Sequence, residues 1–578
     1  MRIPIPGRGR ALPALLAGLA AWGSWFVWKT SFVIGGRRVF CLQDDAMISM
    51  AYARNLVTGH GLNWARQGQP VEGFTHPLWM ALMVPVNLLP LPLDRRALAV
   101  QLLSLALLLW NVVLVRRLML RHFCRPGACH WLPACVMTAF YYPLNAWALV
   151  GMETGLQALL TTASVLLALD IVDGRRDRHL ALWLLGALAV LLRLDMILVV
   201  AAVQLYVVAR GGLRVQRGLS GSSVQTGLSA PAGRGQGERA GRGDPAGRRL
   251  DSSWLTGMGC LLLAVGGYAV FRWFYFHDLL PNTYFLKLGG IPLWLRLLRG
   301  RNTMLDTWRA HGPLLAAVGI GLGVQLLRPR RRRDPEWEGR LALPACIFLL
   351  CCAYSVWVGG DVWEDQERAN RFVAFAVPQL FVLFNAFANQ ALSALRRHPG
   401  APPPWLLRLG LFTVTLAAFL SANGMLLRRE AAGNWVDQAL VVPQWDVHDH
   451  ERILRRVRRL ARIADPSAVV AVVWAGIPAY FSDWKMVDEL GYNDRHIAHL
   501  PPVFVPARDS WRDYRPGHMK WDYGYVVEVC RPDVVFQMWE TTREAARAIV
   551  RLLRSHGYRR VGDLWIDSAS RAIHLDRR

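Results

Sequence analysis

The sequence predicts a polytopic α-helical membrane protein with a C-terminal α/β extracytoplasmic domain. Three observations predict it. Apolar runs of roughly 15 to 25 residues recur from Ala11 to Leu426, and a bilayer core of about 30 Å takes about 20 apolar helical residues to cross. Arginine-rich segments punctuate these runs, as loops between spans require. From about residue 428 the long runs give way to shorter strand-like and helix-like segments.

The spans are expected at roughly 11–34, 98–115, 131–150, 154–172, 180–192, 196–209, 253–275, 312–328, 341–358, 372–388 and 405–424, which makes about eleven crossings. The first run lies behind Arg2, Arg8 and Arg10. Trp22, Trp25, Phe26 and Trp28 carry it past a short signal-peptide core, so it reads as a retained anchor. Residues 76–92 are apolar enough to cross, but a crossing there inverts every later loop. They are expected to dip into or lie on the membrane.

Placing the basic loops inside gives one consistent sidedness. Arg116 to His130, Asp173 to His179, the 210–250 segment, Arg328 to Arg333 and Arg396 to His398 fall in the cytoplasm, with the N-terminus. The expected location is a bacterial cell (inner) membrane, multi-pass, with the C-terminal domain extracytoplasmic. A transmembrane module is expected over 1–427, with its first outer loop at 35–77, followed by an extracytoplasmic α/β domain over 428–578. The Gly/Ser/Arg-rich insertion 211–250 lacks aromatics and is expected to be disordered in the cytoplasm.

The formal charge of +26 would suggest nucleic acid in a soluble protein. Here the cations lie in loops between spans, so the partner is the lipid bilayer and not nucleic acid. Only four of the 67 cationic residues are lysine: Lys29, Lys287, Lys485 and Lys520. Arginine is what this chain uses for a plain anchor, so a lysine at a loop with chemistry stands out. None of the nine cysteines forms a CxxC pair. Cys124, Cys129, His130 and Cys135 have loose metal-like spacing at a span edge. Cys41 and Cys530 both fall outside, where a disulfide is permitted, and sequence alone does not pair them.

In the outer domain a basic helix is expected over Leu454 to Ile463. Strands are expected at Val469 to Trp474 and Asp533 to Trp539, then a helix at Thr541 to His556 and two short strands after Gly557. Trp474 to Ser482 reads as a strand running into a turn.

The chemistry concentrates in the first outer loop, whose core reads CLQDDAMISMAYARNLVTGHGLNW. Asp44 and Asp45 start a helix, with Asp45, Ser49 and Tyr52 near one face. One aspartate suffices as a cap. A second adjacent carboxylate at the membrane surface points to a general base for a hydroxyl, or to a divalent metal serving indirectly. Neither a metal nor another cofactor is required by the spacing. Glu72 and His76 add titratable groups to the same loop. Three further outer loops carry polar groups: Glu153 in GMET, Asn282 and Lys287 in HDLLPNTYFLK, and Asp361 before Arg368 and Arg371. Lys287, Arg368, Arg371 and His76 suit a departing phosphate, and anchoring at the interface is the plainer alternative for the arginines. Arg193 and Asp195 are expected to pair with each other. In the outer domain, GYNDRH supplies Asn493 and Asp494, and GHMKWDY supplies His518, Lys520, Trp521 and Asp522. Such polar-aromatic loops suit carbohydrate, and they also occur at ordinary domain interfaces.

The run DDAMISMAYARNLVTGHGLNW…VEGFTHPLW resembles the first-loop signature of a bacterial GT-C glycosyltransferase group that includes the terminal β-(1→2) arabinofuranosyltransferase of mycobacterial and corynebacterial cell walls. GMETGLQALL, HDLLPNTYFLKLGG, GGD…RF, AGIPAYFSD, GYNDRHIA and GHMKWDY follow in the same order. The resemblance implies a GT-C type module with its site at the outer membrane face. It implies a polyprenyl-phosphate sugar donor, with arabinofuranose as the sugar, inverting transfer to a cell-envelope glycan acceptor, and a catalytic role for Asp44 and Asp45. Tyr52, Glu72, Glu153, Asn282 and Asp361 are placed with substrate. Two departures concern sugar and acceptor. Phe74-Thr75-His76 stands where relatives often have Tyr-Thr-Asn, and Glu364, Asp365 and Glu367 follow Asp361. From a different class, a flippase or exporter of lipid-linked sugars predicts charged groups within spans and internal repeats. A non-enzymatic glycan-binding scaffold leaves the acidic pair unexplained.

Overall fold

The computed structural model describes residues 8–577 except 67, 125–128, 176–177, 223–251, 330, 332, 363–369, 426–430, 441–444, 505–510 and 540–541. The expected boundary at 427/428 falls outside the described residues. Among the described residues, seven helices are long and apolar enough to cross a bilayer: Arg10–Lys29, Leu93–Phe123, Thr154–Val172, Leu194–Gly211, Ser253–Phe276, Pro335–Val358 and Pro404–Ala422. Leu293–Ala310 and Gly312–Leu327 together make an eighth if counted as one span, although they meet at 85°. The chain is a polytopic helical membrane protein, and this count is smaller than the composition suggests.

The shortfall has local causes. The 131–150 run is two short helices, Leu132–Ala139 and Tyr142–Leu149. Pro143 sits in the first turn of the second, and proline disfavours helical backbone just before it. Asn145 Nδ2 then donates to Ala139 O at 2.7 Å, closing the break. Residues 372–388 become a short turn of helix, Arg371–Ala374, and the helix Val377–Leu395, which buries Gln379, Asn385 and Asn389. His179–Leu192 and Pro77–Leu88 are apolar but short; twelve residues span only about 18 Å. The first span ends at Lys29. Residues 32–34 leave the expected span and form strand β1 (Phe32–Ile34), paired antiparallel with β2 (Arg37–Val39). Gly35 and Gly36, both at positive φ, make the tight hairpin turn that requires such residues. The helix Ile197–Ser222 runs on into the segment expected to be disordered, and residues 223–250 lie outside the described ones.

The C-terminal region is α/β. Its sheet has five strands in the order β4-β3-β5-β7-β6: β3 (Val469–Val472), β4 (Lys485–Asp488), β5 (Val534–Val535), β6 (Tyr558–Val561) and β7 (Leu564–Asp567). β3 pairs parallel with both β4 and β5, whereas β7 runs antiparallel. The basic helix is longer than expected, Trp445–Leu460, and the amphipathic helix is Arg543–Ser555. The expected turn at 474–482 is instead a helix, Gly476–Phe481. This helix packs on the first-loop helix Asp44–Val57, so the sheet region and the first outer loop share one hydrophobic core.

Cys41 and Cys530 are both free thiols, and the disulfide joins Cys124 to Cys129. Among the described residues no three His, Cys, Asp or Glu side chains are grouped to hold a metal, and Cys124 and Cys129 are taken up by the disulfide.

Candidate active site

The first-loop helix opens with both aspartates in its first turn, where the helix dipole favours negative charge. They face different partners. Asp44 Oδ1 accepts from the backbone N–H of Gly476 at 3.0 Å and of Ile477 at 3.1 Å. It thereby caps a helix of the C-terminal region. Only glycine fits at 476, because a Cβ there would stand 2.2 Å from Asp44 O. Asp45 Oδ2 accepts from Arg371 Nη1 at 2.9 Å, and Arg371 Nε lies 2.9 Å from Asp361 Oδ2. Asn370 fixes this arginine at its helix start by accepting from Phe372 N at 2.9 Å. Arg371 also stacks over Trp147, 5.5 Å from the ring centre.

Two hollows meet at this pair. A narrow cleft of only about 30 Å³ carries Lys287, Arg193, Arg371 and His76 with Asp45, Ile48 and Tyr492. A cavity of about 320 Å³ lies toward the sheet region, lined by Asp44, Trp474, Arg515, His518 and Trp539, and again by Asp45, Ile48 and Tyr492. Asp45 therefore stands in the partition between a cationic chamber and an aromatic one.

The electrostatics separate the neighbours. Burial pushes Asp44 up to about 7, more than its amide hydrogen bonds pull it down. Burial also acts on Asp45, but Arg371 and Lys287 outweigh it and hold that carboxyl below the usual range. Burial, and then Arg371, brings Lys287 down to about 8. Burial lowers His518 to about 4, so its imidazole is neutral near pH 7.

Deeper in the cleft, Arg193 Nη1 pairs with Glu153 Oε1 at 2.7 Å and Nη2 with Asp195 Oδ2 at 2.8 Å. The expected Arg193–Asp195 pair is thus one arm of a larger network. Glu153 is fully buried, and its other oxygen lies 3.6 Å from His76 Nδ1. His76 Nε2 is 2.7 Å from Ser49 Oγ.

The remaining expected residues hold the walls together. The Tyr52 hydroxyl is 2.5 Å from Val71 O and 3.0 Å from Asn493 Oδ1. Glu72 accepts from Tyr268 OH at 2.6 Å and pairs with Arg272, lining neither hollow. Asn282 Nδ2 donates to Gly491 O at 2.7 Å and Asp494 O at 3.1 Å, tying the Lys287 helix to the 491–494 loop. Lys520 Nζ clamps Phe285 O at 3.0 Å and Ala498 O at 2.8 Å. Asn493 donates to Asp488 Oδ2 at 2.9 Å. Asp494 accepts from Ile497 N at 3.0 Å, and Asp522 from Tyr525 N at 2.9 Å. Trp521 packs against the sheet region's own core. Arg368, with Glu364, Asp365 and Glu367, lies outside the described residues.

Tyr492, Arg193, Arg515, Trp474 and Trp539 line the hollows without having been singled out as site residues. Tyr492 lies inside GYNDRH and Trp474 at the end of the expected strand, and their aromatic character was the available signal. The acidic pair does not fit a metal. Arg371 occupies the position a cation would take beside Asp45, and Asp44 is engaged by amides.

Residues 444–574 match a sequence family described as "Domain of unknown function (DUF8728)". No curated protein matches the chain. Among solved structures, the chain is similar to ArnT from Cupriavidus metallidurans in the apo state, at 13% identity and a TM-score of 0.44, over 84% of this chain and 87% of that one. The same protein bound to undecaprenyl phosphate gives 12% identity and 0.44, over 86% and 89%. The Archaeoglobus fulgidus oligosaccharyltransferase in the apo form gives 10% identity and 0.38, over 82% of this chain and 64% of that one. Likenesses at this level assign no reaction to the chain.

Proposed function

We propose that this protein is an inverting glycosyltransferase that moves a sugar from a polyprenyl-phosphate donor to a glycan acceptor on the non-cytoplasmic face of the membrane. The observation that carries the reading is that Asp45 stands in the wall between a cation-lined cleft and an aromatic cavity, with Asp44 on the cavity side. The cations of the cleft suit a phosphate, the cavity suits a hydroxyl-rich acceptor, Asp45 stands between them and Asp44 faces the cavity.

In this mechanism the acceptor hydroxyl lies in the aromatic cavity and gives its proton to Asp44, whose carboxyl titrates near neutrality as a general base should. The acceptor oxygen bonds to the anomeric carbon. The bond from that carbon to the phosphate oxygen breaks, and its electron pair leaves with the polyprenyl phosphate. Lys287, Arg371 and Arg193 offset the charge that develops there. Asp45 holds Arg371 in place and stays ionised. Arabinofuranose as the sugar and an envelope polysaccharide as the acceptor rest on the ordered motifs alone. Outward placement of the sheet region rests on the basic loops lying at the other ends of the spans.

The test uses the full chain in lipid nanodiscs with radiolabelled short-chain polyprenyl-phosphate sugars, arabinofuranose first and then hexoses. Wild-type protein is expected to transfer label to an oligosaccharide acceptor, and Asp44→Asn is expected not to. Failure of wild type with every donor sinks the reading.

A further inference from the structure

A second hollow, of about 450 Å³, adjoins the aromatic cavity, and the two share Val473, Trp474 and Trp539. Its position follows from the sheet. The chain leaves β3 to form β4 on one side and returns to form β5 on the other, with all three strands parallel. That reversal opens a crevice beyond the carboxyl ends of β3 and β5, where open α/β sheets bind ligands. Val473 and Trp474 follow β3, and Phe536 to Trp539 follow β5, so the hollow occupies that crevice. Gln537 spans it, its Oε1 accepting from Trp474 N at 2.9 Å and Val473 N at 3.3 Å.

We propose that this crevice is a distal glycan subsite that holds acceptor sugars beyond the one that reacts. The inference rests on the transfer reaction proposed above and extends its acceptor to an oligosaccharide. Three features select a neutral, hydroxyl-rich chain. Trp474, Trp539 and Trp565 line the hollow, so it is rich in aromatic side chains. Both charge signs are present and largely satisfied, since Arg456 Nε pairs with Asp563 Oδ2 at 2.7 Å. Arg560, the second arginine of the lining, lies at the exposed rim and offers hydroxyls a donor. Trp539 Nε1 is buried in the wall between the hollows and has no hydrogen-bond partner. A buried N–H left unmatched costs free energy, and a sugar hydroxyl passing over the wall would supply its acceptor. The volume lies within the roughly 300–1,000 Å³ of small-molecule sites.

The test measures equilibrium binding to the full chain in nanodiscs, without donor, of linear arabinofuranosyl and mannopyranosyl oligomers of two and six residues. In one of the two series the hexamer is expected to bind at least about tenfold tighter than the dimer. Arg560→Ala, at an exposed edge of the hollow, and Gln537→Glu, which keeps the carbonyl-type acceptor for β3, should cut that advantage to below about threefold. The loss should fall on the hexamer alone. Equal binding of dimer and hexamer in both series overturns the proposal, as does a length advantage that survives both variants. Hexamer binding without transfer from any donor would sink the reaction and spare the subsite. Transfer to the dimer with no length advantage would do the reverse.

Discussion

Gly476 donates its backbone N–H to Asp44 Oδ1 across 432 residues of chain. The same carboxylate therefore docks the C-terminal region on the first outer loop and faces the aromatic cavity. These two roles separate by substitution. Asparagine caps as well as aspartate does, whereas alanine loses about 0.5–2 kcal/mol. Asp44→Asn should melt close to wild type yet transfer about 10²–10⁴-fold more slowly. Asp44→Ala should lose stability as well. Melting temperature and initial transfer rate, measured on the same nanodisc samples, separate the two. Full activity of Asp44→Asn removes Asp44 as the base.

The pH profile tells the neighbouring aspartates apart. A base works deprotonated, so Asp44 at about 7 gives a rate that rises with pH up to about 7 and then levels. A phosphate-binding cation works protonated, so Lys287 at about 8 gives a rate that falls as pH rises past about 8. Their product is a narrow bell for kcat/KM between those values. Lys287→Arg should move the alkaline limb out of range while the acid limb stays. If Asp45 were the base, its lowered pKa would place the acid limb below the ordinary aspartate value, and the profile would be flat from pH 5 to the alkaline limb.

What could be read in advance follows physical range. Long apolar runs and an acidic helix start are local signals; the helix start at Asp44 and seven of the eleven expected spans are found near where the residues implied. The break at Phe140 depends on Asn145 reaching back to Ala139, which composition does not encode. In GYND the asparagine and aspartate look like sugar ligands, yet both are consumed by the fold, and Tyr492 beside them lines both hollows. Side-chain direction after a glycine at positive φ, here Gly491 at 77°, is set by tertiary packing. Glu72 was legible as a titratable group of the first loop, but its partner Arg272 lies 200 residues on.

That Glu72–Arg272 pair gives a stability prediction. Both side chains are almost completely buried. Removing one partner strands the other charge, so Arg272→Met should cost about 3–5 kcal/mol. The double variant Glu72→Gln/Arg272→Met removes both charges and should recover most of that loss. Once folded, it should also transfer sugar near the wild-type rate, since neither residue lines a hollow. A double variant that melts normally but is inactive would return Glu72 to the chemistry.

The two cysteine environments test sidedness. Asp94, near the start of helix Leu93–Phe123, pairs with Arg458 of the C-terminal region at 2.6 Å. The 31 residues of this helix, at about 1.5 Å each, put its far end roughly 46 Å away, and Cys124 and Cys129 follow there. In the proposed orientation that end is cytoplasmic, and Cys530 is outside. In sealed cells an impermeant maleimide should reach Cys530 but not Cys124 or Cys129, even after a permeant reductant. The Cys124→Ser/Cys129→Ser variant should transfer within about twofold of wild type, because that disulfide lies a full bilayer from Asp44. Labelling of all three from one side would overturn the crossing of this helix, and with it the separation of the basic loops from the acidic pair.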